Sequence, residues 1–292
     1  MRKRINDRFW ATVVLLPSLI AVLVFVYGFI GWTALVSVSS WRGIIPDYTF
    51  VGLQNFFHLF GNTRFQINMW NTAVFTILFV GGCLLFGLFL ATLVDQKPRG
   101  EYIFRNIFMF PLAISFVVTG VVWRWLLNPV TSGDRLTGLN LLLSNIGLEG
   151  LTNAWHMHPE WGMGAIAIAA VWQMSGFTMA LYLAGMRSVP ETLVEAARVD
   201  GANSFQVYRY VILPYLRPVT LSAVVILGHI SLKLFDLVMA ISPEGGHGFS
   251  ADVPAMNMWF TTFRALRFDR GAAIAVIMLL LISLLTVPYL FF

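Results

Sequence analysis

The chain has 292 residues, of which 58% are hydrophobic and only 11% charged, and its mean hydropathy is +0.76. This composition exceeds what a soluble globular core requires and excludes an ordinary soluble domain. The formal net charge of +5 comes from basic residues beside the apolar runs, where membrane topology alone requires them, so it does not indicate a nucleic-acid partner.

Six apolar runs are predicted to cross a membrane as helices, because about 20 apolar residues span the hydrocarbon core. The predicted spans are residues 9–38, 70–94, 106–127, 161–186, 215–241 and 271–292. The third contains Arg124, and the fifth contains Arg217 near its start and Lys233 and Asp236 near its end. The runs are continuous rather than alternating, which excludes a transmembrane β-barrel. We therefore expect an all-α membrane protein that forms a single six-helix transmembrane domain over residues 1–292.

The basic residues predict the orientation, because lysine and arginine favour the cytoplasmic side. Eleven lie beside the amino terminus and in the second and fourth inter-helix loops, and six lie on the opposite side. The eleven are Arg2, Lys3, Arg4, Arg8, Lys97, Arg99, Arg105, Arg187, Arg198, Arg209 and Arg217; the six are Arg42, Arg64, Arg135, Arg264, Arg267 and Arg270. Both termini are predicted to be cytoplasmic.

The fourth loop, residues 188–214, contains the charged and polar stretch EAARVDGANSFQVYRYVILP. Ser188 with Glu191 forms a capping-box pattern, which predicts that a helix starts there. Gly201 suits a helix end and a sharp corner, because glycine readily adopts positive φ. A second helix is predicted from about Ser204 to Pro214. The pattern leaves open a docking knob, a solvated connection or a helix at the membrane interface.

The order of residues in this loop resembles the EAA loop of ABC-importer permeases. The resemblance consists of Glu195-Ala196-Ala197, Gly201, Val211 and Leu213-Pro214, with Val211 where the family usually has isoleucine. Further similar stretches are Asn71-Thr72, RNIFMFPLAISFVVTGVVWRWLLNP at 105–129 and FDLVMAI at 235–241; Gly245-Gly246-His247 departs from the usual Gly-Gly-Pro. These features resemble the sugar-importing, maltose-permease-like subfamily.

The resemblance implies a cytoplasmic coupling helix that inserts into an ATPase. It assigns this role to Glu195, Ala196, Ala197, Asp200 and Gly201. It also implies a second permease subunit, two ATPase subunits, an extracytoplasmic sugar-binding protein and location in a bacterial or archaeal cell (inner) membrane. No GxxxxGK[ST] phosphate-binding loop occurs in this sequence, so ATP and Mg²⁺ are expected on the partner ATPases, with no cofactor on this chain. A basic cytoplasmic tail is expected beyond Phe292.

Polar residues within the spans indicate a path for the solute, because charges at membrane depth are expensive unless solvated or paired. His229, Lys233 and Asp236 are spaced by four and three residues, which predicts one helical face. The alternative is a Lys233–Asp236 ion pair that only holds helices together. Trp172 and Gln173 could stack on a sugar ring and bond its hydroxyls, or could serve ordinary packing.

Other functions remain open at this point. A proton-coupled secondary transporter would use Lys233 and Asp236 as a titrating relay, but it should show internal repeats, and no convincing repeat is present. A membrane-bound enzyme would use the outer-loop residues His156, His158 and Glu160. Their spacing does not match a zinc pattern. We therefore expect no metal site and no enzymatic activity.

Overall fold

The computed structural model describes residues 2–96, 98–128, 136–289 and 291, with side chains from residue 9 onward. Within these ranges it contains helices and one isolated extended pairing, Ser39 with Phe50, but no strand. The predicted all-α fold class is confirmed. Four residues used in the predictions above, Lys97, Pro129, Arg135 and Phe292, lie outside the described residues.

The helices follow one another closely along the chain. The α-helices of the described residues are α1 (Arg2–Val22), α2 (Phe29–Ser37), α3 (Gln54–Phe60), α4 (Thr63–Asp95), α5 (Glu101–Met109), α6 (Phe116–Leu126), α7 (Gly138–Asn145), α8 (Gly162–Arg187), α9 (Glu191–Val199), α10 (Ser204–Val207), α11 (Leu213–Tyr215), α12 (Arg217–Leu232), α13 (Asp236–Ile241), α14 (Pro254–Trp259) and α15 (Phe268–Tyr289). Short π-helical turns, Leu23–Gly28, Tyr208–Ile212 and Phe260–Arg264, continue α1, α10 and α14.

Four helical segments within the described residues are long and apolar enough to cross a membrane. They are Phe9–Ser37, Thr63–Asp95, Gly162–Arg187 and Phe268–Tyr289. Two more qualify as bent pairs: Glu101–Ala113 with Phe116–Leu126, at 96°, and Ser204–Tyr215 with Arg217–Leu232, at 60°. The described residues thus offer four candidate spans, or six if each bent pair forms one.

The third predicted span is not a continuous helix. After α5, a single 3₁₀ turn, Phe110–Ala113, ends the helix, and α6 begins only at Phe116. Pro111 lies in that turn and cannot donate a helical hydrogen bond. Ser115 caps the new helix, because its hydroxyl accepts a hydrogen bond from the Val118 N–H at 3.3 Å. The sequence therefore contains both signals for the break.

The fifth predicted span, 215–241, is also divided. A bend precedes α12, with Pro218 near the start of that helix, where the missing proline N–H is tolerated. At the other end α12 stops at Leu232, and the next helix, α13, starts at Asp236. The residues from Lys233 to Phe235 thus separate two helices where one is predicted.

The contacts divide the chain into two compact units, whereas one domain over residues 1–292 is predicted. The first unit comprises Met1–Asn62 and Asn257–Leu280. Its Trp41 ring stacks on Phe268 at 4.8 Å between centroids. The carboxylate of the fully buried Asp269 accepts hydrogen bonds from Arg267 at 3.0 and 3.1 Å. These contacts pin the segment after α2 to the start of α15, and they keep a buried carboxylate paired.

The second unit comprises Thr63–Met256 and Leu281–Phe292. Here α4 and α8 pack along their lengths, and a β-carbon at Gly87 would lie 2.6 Å from the Cβ of Thr178, so glycine permits this approach. The Thr76 and Ser231 hydroxyls join α4 to α12 by a hydrogen bond of 2.9 Å. The fully buried Asp252 accepts a hydrogen bond from Arg64 at 2.6 Å. This unit contains every residue proposed above for coupling or for the solute path.

Candidate functional site

The coupling loop consists of α9, a glycine corner and α10 with its π-helical continuation. The predicted capping box at Ser188 is wrong. Ser188 has helical φ and ψ as the C-cap residue that follows α8, and its hydroxyl donates to the Gly185 carbonyl at 2.8 Å. An N-cap needs a non-helical backbone, so α9 begins only at Glu191, after Pro190.

A capping box is present fifteen residues after Ser188, at Asn203. The Asn203 carbonyl oxygen Oδ1 accepts from the Gln206 N–H at 2.9 Å, and Gln206 Oε1 accepts from the Asn203 N–H at 2.8 Å. This confirms the predicted helix from Ser204. Gly201 has φ +83°, as the predicted corner requires, and no atom lies within 4 Å of where its β-carbon would be.

The two faces of the coupling loop differ in their surroundings. Val194, Ala197 and Ala202 pack on a buried cluster that includes Tyr182, Met186 and Leu216. The outward face exposes Glu195, Ala196, Arg198, Asp200 and Gly201. It also exposes two large apolar side chains, Val199 at 88% and Phe205 at 76%. An apolar patch among charges on an otherwise anchored helix is typical of a surface that binds another protein.

Two polar contacts that the sequence did not predict lie in this loop and beside it. The Tyr208 hydroxyl donates to the Asp95 carboxylate at 2.7 Å. Arg187, at the end of α8, donates to Glu101, at the start of α5. Asp95 is the first charged residue after the long charge-free run 65–94. That isolated position is the feature of the sequence that could have marked it as a polar contact. The loop is thereby tied to α4, while Arg187 ties α8 to α5.

We expect Tyr208→Phe to weaken coupling without preventing assembly. The substitution removes one hydrogen bond to a charged group, which contributes about 1.5–3 kcal/mol, and keeps the ring in place. ATP-dependent uptake by the reconstituted complex should fall several-fold while the amount of assembled complex stays constant. Tyr210→Phe is the matched control, because Tyr210 is exposed at 71%. Equal uptake by both variants would contradict a role for the Tyr208–Asp95 contact.

The polar residues of the fifth span do not lie on one helical face, which corrects the sequence prediction. His229 lies on α12, Lys233 is the C-cap residue that follows α12, and Asp236 is the first residue of α13. Lys233 and Asp236 are exposed. Among the described residues, no ion pair joins them. The structure therefore gives no support to the ion-pair interpretation.

The two charges match the polarity of the helix ends at which they stand. The C-terminus of a helix carries partial negative charge and the N-terminus partial positive charge, so lysine favours the former and aspartate the latter. A helix break exposes backbone groups, and within a membrane this is tolerated only in buried positions or beside a water-filled cavity. Because Lys233 and Asp236 are exposed, the break between α12 and α13 fits the wall of a wet cavity.

Trp172 and Gln173, on α8, have different surroundings. Gln173 is 2% exposed, and its Nε2 donates to the Ile114 carbonyl at 2.6 Å. It thus satisfies a backbone group at the break before α6. Its Oε1 is buried without a partner among the described residues. Trp172 is 39% exposed, and its ring lies 6.0 Å from the Trp123 ring.

The outer-loop residues His156, His158 and Glu160 do not converge. Within the described ranges no group of three His, Cys, Asp or Glu side chains could hold a metal ion. His156 is buried, and burial, reinforced by the charge of Arg124, lowers its pKa below the ordinary value. The His158 Nδ1 accepts from the Glu160 N–H at 3.2 Å. The contact between His158 and Glu160 thus stabilises the local conformation of the loop.

Comparison with known proteins agrees with this geometry. The chain is 42% identical over 289 residues to a probable ABC transporter permease protein of Pyrococcus horikoshii, covering 99% of this chain and 97% of the relative. It is 34% identical over 268 residues to the xylose/arabinose import permease XacH of Haloferax volcanii, covering 91% and 82% of the two chains.

The fold is similar to that of a solved bacterial ABC transporter involved in the import of the acidic polysaccharide alginate. The TM-score is 0.80 at 24% identity, over 97% of this chain and 96% of that one. Residues 83–292 match the family described as the binding-protein-dependent transport system inner membrane component. The resemblance to ABC-importer permeases, predicted from the EAA loop, is confirmed. The alternatives of a proton-coupled transporter and a membrane enzyme do not explain these similarities. This chain belongs to the binding-protein-dependent transport system inner membrane component family.

Proposed function

We propose that the chain is the transmembrane permease subunit of an ATP-driven sugar importer and forms half of its translocation path. The observation that carries this proposal is the anchored, outward-facing α9 and its Gly201 corner in a member of the permease family. Sugar as the solute is supported by the relative named a xylose/arabinose import permease. The alginate importer of similar fold is consistent with it.

The coupling surface accounts for transmission of energy from a separate ATPase. Glu195, Ala196, Asp200 and Gly201 are exposed, whereas Ala197 faces the helices. The exposed face of α9 enters a cleft of the ATPase. Ala197 and the Tyr208–Asp95 contact transmit the movement of the ATPase to α4. ATP and Mg²⁺ are bound by the two ATPase subunits.

A second permease subunit supplies the other wall of the path. The charged groups at the break between α12 and α13 are exposed in the isolated chain, and exposure of charges to lipid at this depth is expensive. A facing subunit, with water and solute between the two, removes that penalty. His229, Trp172 and Gln173 contribute to the same path, and an extracytoplasmic sugar-binding protein delivers the solute.

Copurification and reconstitution test this function together. The chain should copurify with a second permease and an ATPase, and the proteoliposomes should take up a sugar only with ATP, Mg²⁺ and the binding protein present. Uptake driven by a proton gradient in the absence of ATP would contradict the proposal. A screen of monosaccharides and oligosaccharides against the binding protein identifies the sugar.

We expect the coupling loop to face the cytoplasm and the loop before α8 to face outward. A cysteine at Arg198 should react with a membrane-impermeant thiol reagent only from the inside, and one at Glu160 only from the outside. The natural Cys83 is fully buried in α4, so the unmodified protein provides a low-background control. Labelling of position 198 from the outside alone would show that the orientation is opposite to the predicted one.

A further inference from the structure

A cavity of about 710 Å³ lies between α4, α8 and the loop that contains α7. Its α4 wall includes Leu78 and Gly82, its α8 wall includes Gly164 and Ile168, and its roof includes Leu143. We call this cavity the outer groove. Among the residues that the structure describes, no charged side chain lines it, and its volume falls in the range of ligand sites, about 300–1,000 Å³.

The outer groove is distinct from the proposed solute path. On α4, Thr76 faces α12 through its hydrogen bond to Ser231. Leu78 lies two residues after Thr76 and Gly82 six residues after it. At about 100° per residue, these positions are rotated around the helix axis by about 200° and 240° from Thr76. Leu78 and Ile168 are exposed at 44% and 54%. The groove therefore opens on another side of α4 than the one that meets α12.

The depth of the outer groove places it in contact with hydrocarbon. Its helical walls belong to the charge-free runs 65–94 and 161–186, and α4 and α8 are long and apolar enough there to cross a membrane. Two tryptophans, Trp155 and Trp161, line its end near the start of α8. Tryptophan is enriched where the membrane meets water. Thr152 and Asn153 add polar groups to the same lining.

The roof of the groove is fixed by a single buried side chain, Asn140, which is 1% exposed. Its Oδ1 accepts from the Trp155 indole N–H at 2.8 Å and from the Asn153 N–H at 3.2 Å. Its Nδ2 donates to the Asn153 carbonyl at 2.9 Å. Because these bonds hold α7 and the following loop together, the cavity is formed before any ligand enters.

We propose that the outer groove binds an acyl chain of a membrane lipid, with the polar end of the lipid beside Trp161. An apolar cleft that opens to the bilayer interior excludes water and sugar, whereas a hydrocarbon chain gains contacts with both helices and the roof. The aromatic and polar rim matches the boundary between the chain and the headgroup of that lipid. This inference does not depend on the identity of the transported solute.

The test uses the complete transporter in lipid nanodiscs doped with a phosphatidylglycerol that carries a photoreactive diazirine on one acyl chain. After illumination, mass spectrometry locates the adducts. Peptides that contain Leu78, Leu143 and Ile168 should carry about tenfold more adduct than the peptide around Leu85, which is exposed on α4 outside the groove. Equal labelling of Leu85 and the groove, or no lipid adduct in the groove because a protein partner covers it, would overturn the proposal.

A matched pair of glycine substitutions separates binding in the groove from general contact with lipid. A β-carbon at Gly164 would lie 3.6 Å from the Trp161 ring and 3.9 Å from Leu78, so Gly164→Phe fills the groove and should lower its labelling to the Leu85 level. Gly81 has open space around it, and Gly81→Phe should label like the wild type. Should Gly164→Phe not assemble, Ile168→Trp narrows the groove from its exposed wall. Full labelling of the groove in an assembled blocking variant contradicts the proposal.

Discussion

Gly201→Val is expected to abolish most transport while the protein still inserts and assembles. Gly201 has φ +83°, and a β-branched residue in this region is strained by about 1–3 kcal/mol. No neighbouring atom lies within 4 Å of the new β-carbon, so the strain comes from the backbone alone. The loop should relieve it by changing the angle between α9 and α10, which displaces the exposed residues that we propose to enter the ATPase.

The measurement compares ATP hydrolysis with sugar uptake in the same proteoliposomes. We expect uptake to fall about tenfold or more, because the strain is released in the coupling corner, while ATP hydrolysis continues. Gly201→Asn is the matched control, since asparagine tolerates positive φ far better than valine. The variant with asparagine should retain most of the uptake. Wild-type uptake by Gly201→Val would remove the argument for a coupling corner.

The long spans could be predicted from the sequence because the signal is local. The charge-free runs around α4 and α8 need no knowledge of their neighbours, since hydrocarbon selects for them directly. Their ends were harder to predict. For example, α4 begins at Thr63 rather than at residue 70, and Arg64 in its first turn pairs with Asp252, 188 residues away. Such a partner cannot be identified from the local pattern.

The breaks within the spans show the same limit. Pro111 and Ser115 indicate the break before α6 in the sequence. The carbonyl of Ile114, however, accepts a hydrogen bond from Gln173, which is 59 residues away. The end of α12 at Leu232 has no proline or glycine beside it. A spacing of four and three residues therefore predicted a single face for His229, Lys233 and Asp236, although the helix does not continue. Tertiary contacts decide such breaks, as they override local propensity elsewhere.

In the coupling loop, the residue pattern predicted the corner and the second helix correctly, but it placed the N-cap of the first helix, α9, at the wrong residue. Gly201 was recognisable because positive φ is a property of a single residue. The second helix does start at Ser204 as predicted, but its N-cap is Asn203. Ser188 followed by Glu191 carried the same kind of signal, yet Ser188 is the C-cap of α8. A pattern four residues long cannot tell whether the preceding helix has already ended. The Tyr208–Asp95 bond, 113 residues apart in sequence, required the folded structure.

Replacement of Lys233 or Asp236 is expected to lower sugar transport without preventing assembly. Removal of one partner of a buried ion pair leaves an uncompensated charge and is strongly destabilising. Here no ion pair joins the two residues among those described, and both are exposed. Lys233→Met and Asp236→Leu should therefore each assemble normally, and so should the double variant.

The three variants separate a solute contact from a structural role. A hydrogen bond to a charged group contributes about 1.5–3 kcal/mol, so loss of one contact should raise the KM for the preferred sugar about 10- to 100-fold. If the residues only held helices together, the double variant would be tolerated better than either single variant. We expect the double variant to be the poorest transporter, or to show a changed sugar preference, because both polar groups have left the cavity wall. Normal uptake of every sugar by an assembled double variant would exclude Lys233 and Asp236 from the path.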